Sequence, residues 1–152
     1  MSIKNLLPGK IGLGGAPLGN MFRAIPEDEA HATVSEAWNL GVRYFDTAPL
    51  YGSGLSEIRM GEALSQYPRD EYVLSSKVGR IMLDEMEDPA KRDFGEKGGL
   101  FEHGLKNKIL NDYSADATLR SIEDSLKRLK TDRLDIVWIH DPAQDFYGCL
   151  LY

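Results

Sequence analysis

The chain has 152 residues, 42% of them hydrophobic, which is enough for one domain with a substantial core. Its net charge of -6 argues against a surface for nucleic acid or for anionic membranes. The single cysteine, Cys149, excludes a disulfide within the chain and is typical of a reducing compartment. No apolar run reaches the roughly 20 residues that a membrane span requires. We therefore predict a soluble, cytoplasmic protein.

The first half of the chain alternates predicted strands with predicted helices. A short glycine-rich strand is predicted at 10–14, and strands rich in β-branched and aromatic residues at 42–48 and 71–78. A helix is predicted at 26–41, where proline and acidic residues suit the first turn and glycine suits the end. A second helix with an apolar side is predicted at 56–64.

The second half begins with an irregular segment and returns to the same alternation. Residues 79–112 lack a clean period and carry many charges and glycines, so we predict a long loop there. Ser114 is expected to cap an amphipathic helix, and a fourth strand is predicted at 133–140. The apolar stripe predicted for this helix consists of Leu119, Ile122, Leu126 and Leu129. Strands alternating with helices predict a parallel sheet, either an open doubly wound sheet or a (β/α)8 barrel.

The glycine-rich stretch GLGGAPLG, after the first predicted strand, does not fit a dinucleotide-binding fingerprint. In the pattern G-x-G-x-x-G, a start at Gly12 places Pro17 at the third glycine position. A start at Gly14 places Ala16 at the second glycine position, and the next helix begins too late. The stretch instead predicts a sharp turn in which glycine allows close approach of the backbone to a neighbour or a ligand.

Three titratable residues stand where predicted strands end: Asp46, Lys77 and His140. The carboxyl ends of parallel strands meet at one edge of a sheet, so we expect these side chains to converge. Taken singly, each also fits a structural role, as a capping aspartate, a rim lysine or a hydrogen-bonded core histidine. Tyr51 follows Asp46 in a turn and can reach the same edge. Because a nearby lysine cation favours a phenolate, the four residues suit general acid–base catalysis at a carbonyl or carbinol oxygen.

A metal site is the competing interpretation of these residues. The three histidines, His31, His103 and His140, have neither the i, i+4 spacing nor the H-x-H spacing of ligand pairs. A lysine at the centre of the cluster also opposes a cation. We therefore predict no metal, and a metal-dependent barrel hydrolase remains the least favoured hypothesis.

Three stretches together resemble the sequence blocks of the aldo-keto reductase superfamily: GVRYFDTAPLYGSGLSEIRMGEAL at 41–64, SSKVGR at 75–80 and RLDIVWIHDP at 133–142. The resemblance implies a (β/α)8 barrel and an NAD(P)-dependent oxidoreductase. The segment DYSADATLRSIEDSLKRL, with the long loop before it, is similar to the branch of aldose and pyridoxal dehydrogenases. Members of that branch oxidise a hydroxyl group.

The resemblance also implies a role for each residue of the predicted site. Tyr51 would be the proton donor or base, Lys77 would favour its phenolate, Asp46 would pair with Lys77, and His140 would orient the substrate carbonyl. The expected cofactor is NADP or NAD, and the expected partner is a small-molecule carbonyl or alcohol. The cofactor-binding residues that the resemblance implies are Gly14, Gly15, Asp46, Thr47 and Tyr51.

The chain departs from the family in its number of strands. Four are predicted where the family barrel has eight, so residues 1–152 are expected to be the N-terminal half of a barrel, truncated after the fourth strand. Unpaired strand edges would favour a homodimer. Alternatives to an active reductase are thus a catalytically impaired fragment and a non-enzymatic half barrel that associates with itself.

Overall fold

The computed structural model of the protein describes residues 6–88 and 99–142. The last ten residues, among them Cys149, lie outside these ranges. Within them, no helix is both long enough and apolar enough to cross a membrane.

The part of the chain that the structure describes contains four parallel strands in one sheet and a separate antiparallel pair. In chain order the strands are β1 Leu13–Gly14, β2 Tyr44–Asp46, β3 Val73–Val78, β4 Arg80–Met86, β5 Asn107–Asn111 and β6 Ile136–Ile139. The sheet order is β1-β2-β3-β6, and every pairing in it is parallel. The predicted parallel sheet is confirmed. Within the described residues it stays open, with β1 and β6 at its edges.

Within the described residues three α-helices connect the strands: α1 Glu27–Asn39, α2 Leu55–Leu64 and α3 Ala115–Leu129. Pro26 is the N-cap of α1, and three acidic residues in the first turn suit the positive end of the helix dipole. Gly41 follows the helix with a φ of +86°, a conformation that favours glycine. The Ser114 hydroxyl accepts a hydrogen bond from the Ala117 amide at 3.3 Å, so the predicted cap is confirmed.

The prediction of a continuous loop over 79–112 is wrong for two segments. Strands β4 and β5 pair antiparallel within this region, with Ile81 opposite Leu110 and Met82 opposite Ile109. The register shifts between Met82 and Met86, which marks a bulge. Charged residues at the far end of β4, together with this irregularity, remove the period-2 pattern that would have indicated a strand.

The hydrophobic core lies between one face of the sheet and the helices. Phe45 of β2 and Leu74 of β3 pack there against buried residues of α1 and α2, including Val34 and Met60. Side chains alternate along a strand, so the residues next to Phe45 in β2 and next to Leu74 in β3 point to the opposite face. We call that opposite side the open face; it carries Tyr44, Asp46, Ser75, Lys77 and Trp138.

The buried side of α3 differs from the predicted apolar stripe. It consists of Ala117, Ser121, Ser125 and Leu129. Leu119 is 62% exposed, and of the four predicted positions only Leu129 is fully buried. A Cβ added at Gly61 of α2 would lie 2.6 Å from the Leu129 backbone, so the two helices are in close contact. The sequence of α3 alone does not contain this contact, which fixes how the helix lies against its neighbour at Leu129.

Candidate active site

The structure brings the four predicted catalytic residues together at the carboxyl end of the sheet. Asp46 ends β2, Lys77 lies near the end of β3, and His140 follows β6. Tyr51 lies in the turn between β2 and α2. The Lys77 Nζ atom is 4.8 Å from the centroid of the Tyr51 ring, and the Tyr51 and His140 ring centroids are 5.7 Å apart. These contacts make one continuous cluster.

Lys77 is held by two acceptors. Its Nζ donates hydrogen bonds to Asp46 Oδ2 at 2.6 Å and to the Thr47 carbonyl oxygen at 2.9 Å. The other carboxylate oxygen, Asp46 Oδ1, accepts a hydrogen bond from Ser75 Oγ at 2.5 Å. Both oxygens of Asp46 are therefore engaged, and the ammonium group is fixed beside the Tyr51 ring.

Tyr51 is positioned by a tight turn and by aromatic contacts. Gly52 follows it with a φ of +65°, and a Cβ at Gly52 would lie 2.3 Å from the Gly19 carbonyl oxygen. The Tyr51 ring stacks on Phe101 with a centroid distance of 5.8 Å and meets His140 edge to face at 86°. The phenol is thus placed by backbone that only glycine allows and by two neighbouring rings.

His140 is almost entirely buried, with 7% of its surface exposed. Burial and the nearby Arg80 cation lower the pKa of its imidazole to about 4, while the Asp141 carboxylate opposes this shift. Its backbone is fixed at both ends, because its amide donates to the Val78 carbonyl at 2.9 Å and its carbonyl accepts from the Tyr113 hydroxyl at 2.7 Å. The Nδ1 atom is buried without a hydrogen-bond partner among the described residues. At neutral pH the ring is therefore uncharged and can offer one donor and one acceptor.

Two cavities adjoin the cluster. A groove of about 380 Å³ on the open face is lined by Gly12, Leu13, Gly14, Tyr44, Asp46, Lys77 and Trp138. A second cavity of about 460 Å³ has Tyr51, Arg80, His140 and Asp141 as its polar lining. The rest of its wall is formed by Ala16, Met21, Leu50, Gly99, Leu100 and Phe101. The ion pair therefore faces one cavity, and the phenol and imidazole face the other.

The residues predicted to bind a cofactor fall into two groups. Gly14, Asp46 and Tyr51 line the cavities, and a Cβ at Gly14 would meet nothing within 4 Å. Gly15 is tightly packed, since a Cβ there would lie 2.7 Å from Ser56 Oγ. Thr47 is fully buried, with its hydroxyl 2.8 Å from the same Ser56 oxygen. Gly15 and Thr47 thus form the wall behind the groove.

Two polar contributors to the site were missed by the sequence reasoning. Ser75 is fully buried and donates to Asp46; the alternation of side chains along β3 places it on the same face as Lys77 and could have identified it. Arg80 donates to Asp141 Oδ2 at 2.8 Å and lines the second cavity. No pattern of spacing marks Arg80, the last residue of the block SSKVGR.

One cluster among the described residues has the composition of a metal site, and it contains none of the four predicted catalytic residues. Glu27, His31 and Glu62 bring three ligand atoms within 4.8 Å of one another. Both carboxylates already pair with cations, Glu27 with Arg59 and Glu62 with Lys130. These ion pairs compete with a metal for the same two carboxylate groups.

Comparison with known proteins identifies the family. The model of the Aldo/keto reductase family matches residues 10–151. D-threo-aldose 1-dehydrogenase from a Pseudomonas species is 41% identical over 135 residues, which are 88% of this chain and 40% of that protein. Pyridoxal 4-dehydrogenase from Microbacterium luteolum is 37% identical over 134 residues, which are 86% of this chain and 39% of that protein. The chain therefore spans about two fifths of the length of these relatives.

Solved structures give the same result for the fold. The glycerol dehydrogenase of Gluconobacter oxydans is 26% identical with a TM-score of 0.62, and the match covers 88% of this chain and 37% of that chain. An aldo-keto reductase from Klebsiella pneumoniae in complex with NADPH is 27% identical with a TM-score of 0.58, over 85% of this chain and 34% of that chain. The predicted α/β fold of the barrel family is confirmed, with an open parallel sheet in the residues described. The protein is a member of the aldo/keto reductase family.

Proposed function

We propose that this chain carries the acid–base site of an NAD(P)-dependent oxidoreductase that interconverts a hydroxyl and a carbonyl group on a small sugar-like or aromatic molecule. The observation that carries the proposal is the position of Lys77. Its ammonium is held by Asp46 and by a backbone carbonyl, 4.8 Å from the Tyr51 ring centroid. A cation fixed beside a phenol is what a tyrosine acid or base requires.

Each residue has one task in this proposal. The Tyr51 hydroxyl gives a proton to the substrate oxygen in reduction and removes it in oxidation. Lys77 stabilises the phenolate, and Asp46 holds Lys77 in place. The uncharged His140 imidazole hydrogen-bonds the substrate oxygen and orients it toward Tyr51.

The groove on the open face fits a nicotinamide group, because Gly14 leaves open space beside Asp46 and Lys77. We propose that Gly14 and Asp46 line the nicotinamide side in this groove, that Tyr51 adjoins it from the second cavity, and that Gly15 and Thr47 shape the wall behind them. The group supplies hydride chemistry when bound. The complex of the Klebsiella pneumoniae relative with NADPH supports NADP as one of the two cofactors to test, and NAD is the other.

The substrate class rests on the relatives and on the second cavity. Relatives named for aldoses and for pyridoxal support a small alcohol or carbonyl compound. The cavity next to Tyr51 and His140 combines apolar walls with the Arg80–Asp141 pair, a lining that suits a ring bearing polar groups. In this proposal residues 1–152 correspond to the N-terminal half of a family barrel.

The test is a turnover assay with the purified chain, NAD⁺ or NADP⁺, and a panel of aldoses and pyridoxine-type alcohols. We expect reduced nucleotide to accumulate, and we expect Tyr51→Phe to abolish it. Tyr67→Phe is the matched control, since Tyr67 stacks on Trp38 and lines neither of the two cavities at the site. Absence of reduced nucleotide with every substrate, or full activity in Tyr51→Phe, would overturn the proposal.

A second candidate function is self-association of the chain as a half barrel. The observation that favours it is the exposure of β6, an edge strand on which Val137 is 40%, Trp138 39% and Ile139 59% exposed. Apolar edge strands pair readily with other chains. Sedimentation should then detect a homodimer that Val137→Lys weakens. Leu119→Lys, an exposed position on α3, is the control, and a wild-type monomer at high concentration would exclude this function.

A further inference from the structure

Three side chains on the open face form a hydrogen-bonded chain that ends on the Asp46 carboxylate. Trp138 Nε1 lies 3.4 Å from the Tyr44 hydroxyl, which lies 3.0 Å from Ser75 Oγ. Ser75 Oγ in turn lies 2.5 Å from Asp46 Oδ1. The chain crosses three adjacent strands, because Ser75 pairs directly with Asp46 and Trp138 pairs with Lys77.

The chemistry of the groups fixes the direction of every hydrogen bond. An indole N–H can only donate, so Trp138 donates to the Tyr44 hydroxyl. An ionised carboxylate can only accept, so Ser75 gives its single hydroxyl hydrogen to Asp46. Tyr44 must then donate to Ser75. All three donors point toward Asp46, and hydrogen bonds aligned in this way polarise one another.

We propose that Ser75, Tyr44 and Trp138 are positioning residues that hold the Asp46 carboxylate in one orientation and thereby aim the Lys77 ammonium at Tyr51. The carboxylate has two oxygens and two fixed donors, Ser75 on one side and Lys77 on the other. Loss of the Ser75 donor frees the carboxylate to rotate about its terminal bond, and the 2.6 Å contact with Lys77 then loses its fixed direction. The positioning role of these residues rests on the proposed function, but the hydrogen-bonded chain does not.

The fully buried position of Ser75 supports a specific role rather than space filling. Its hydroxyl serves as donor to Asp46 and acceptor from Tyr44, which uses its hydrogen and one of its lone pairs. Ser121 offers the contrast, because it is also buried but its hydroxyl has no hydrogen-bond partner among the described residues. Ser121→Ala therefore removes a buried hydroxyl of the same kind without breaking a known hydrogen bond.

The first experiment reads the far end of the chain by NMR of the indole N–H groups. The protein has two tryptophans, Trp38 and Trp138, so two side-chain signals report on two environments. Ser75→Ala and Tyr44→Phe should each shift the Trp138 signal and leave the Trp38 signal in place. Ser121→Ala should move neither. An unchanged Trp138 signal in folded Tyr44→Phe protein would overturn the hydrogen-bonded chain, even if Ser75→Ala fails to fold.

The second experiment reads the near end, through hydrogen exchange of the Lys77 ammonium followed by ¹⁵N NMR. Ser75→Ala should speed this exchange about tenfold, which corresponds to about 1.4 kcal/mol for a hydrogen bond to a charged group. Tyr44→Phe should speed it by less, and Ser121→Ala should leave it unchanged. Equal exchange in wild type and Ser75→Ala would overturn the positioning role. Neither readout requires turnover, so failure of the proposed function is observed separately, as a wild-type chain without activity.

Discussion

Mild acid should destabilise this protein through His140. The imidazole is buried beside Arg80, and its pKa falls from 6.5 in the unfolded chain to about 4 in the folded protein. Between these two pKa values the unfolded state binds a proton that the folded state rejects. The free energy of unfolding is therefore unaffected by His140 above about pH 6.5 and decreases as the pH falls through the window down to about pH 4.

The size of this effect follows from the two pKa values. Proton binding to the unfolded chain alone lowers the free energy of unfolding by about 2 kcal/mol between about pH 7.5 and about pH 5. For a chain of this length that loss corresponds to a decrease in Tm of roughly 4–8 °C. Acidic groups also titrate toward the lower end of this range, so the contribution of His140 must be isolated by a variant.

His140→Gln isolates the effect, because glutamine stays neutral over the whole range. Urea unfolding of both proteins at a series of pH values should give curves that diverge below about pH 6.5, with wild type losing about 2 kcal/mol more by about pH 5. His31→Gln, a change at a half-exposed histidine, is the control for loss of an imidazole. Parallel curves for wild type and His140→Gln would refute the reasoning, as would an NMR titration of the His140 ring with its midpoint near 6.5.

Two further predictions concern how the helices are held. Glu57→Gln should lower the free energy of unfolding, measured in urea, by about 3–5 kcal/mol. Fully buried Glu57 accepts a hydrogen bond from Arg128 Nε at 2.6 Å, and the variant leaves that cation without its carboxylate. A loss below about 1 kcal/mol would contradict this prediction. Gly61→Ala should lower the Tm measured by calorimetry through a loss of about 1–3 kcal/mol, since the new Cβ would lie 2.6 Å from the Leu129 backbone. Gly14→Ala, with open space around its Cβ, should change stability by less than Gly61→Ala, and equal losses would contradict the packing argument.

The parts of the fold that could be predicted from the sequence depend on local signals. Ser114 caps α3 because a serine hydroxyl can accept a hydrogen bond from a free amide of the first turn, and that contact needs no distant part of the chain. The convergence of Asp46, Lys77 and His140 follows from parallel strands alone, since their carboxyl ends share one edge. Both inferences use sequence neighbours or the direction of strands, and the structure agrees with both in geometry.

The parts that could not be predicted depend on contacts between distant segments. β4 and β5 stabilise each other across many intervening residues, and neither has a regular pattern of its own. The buried side of α3 depends on its neighbours, among them Gly61 at the Leu129 backbone, and a helical wheel of α3 does not contain them. The low pKa of His140 depends on its burial by the fold and then on Arg80, a residue 60 positions away in sequence that lies near it in space.

The alternation of side chains along β3 limits which insertions and deletions this protein can tolerate. Its successive side chains serve opposite sides of the sheet: Ser75 and Lys77 bind Asp46, while Ser76 donates to Glu57 at 2.6 Å. A one-residue change in the length of β3 ahead of these positions would turn every side chain to the other side. Lys77 would then leave its carboxylate, and Ser76 would leave Glu57 at the same time. The acid–base cluster and the Ser76–Glu57 contact therefore depend on one strand register. A shift of that register in β3 would disrupt both of them together.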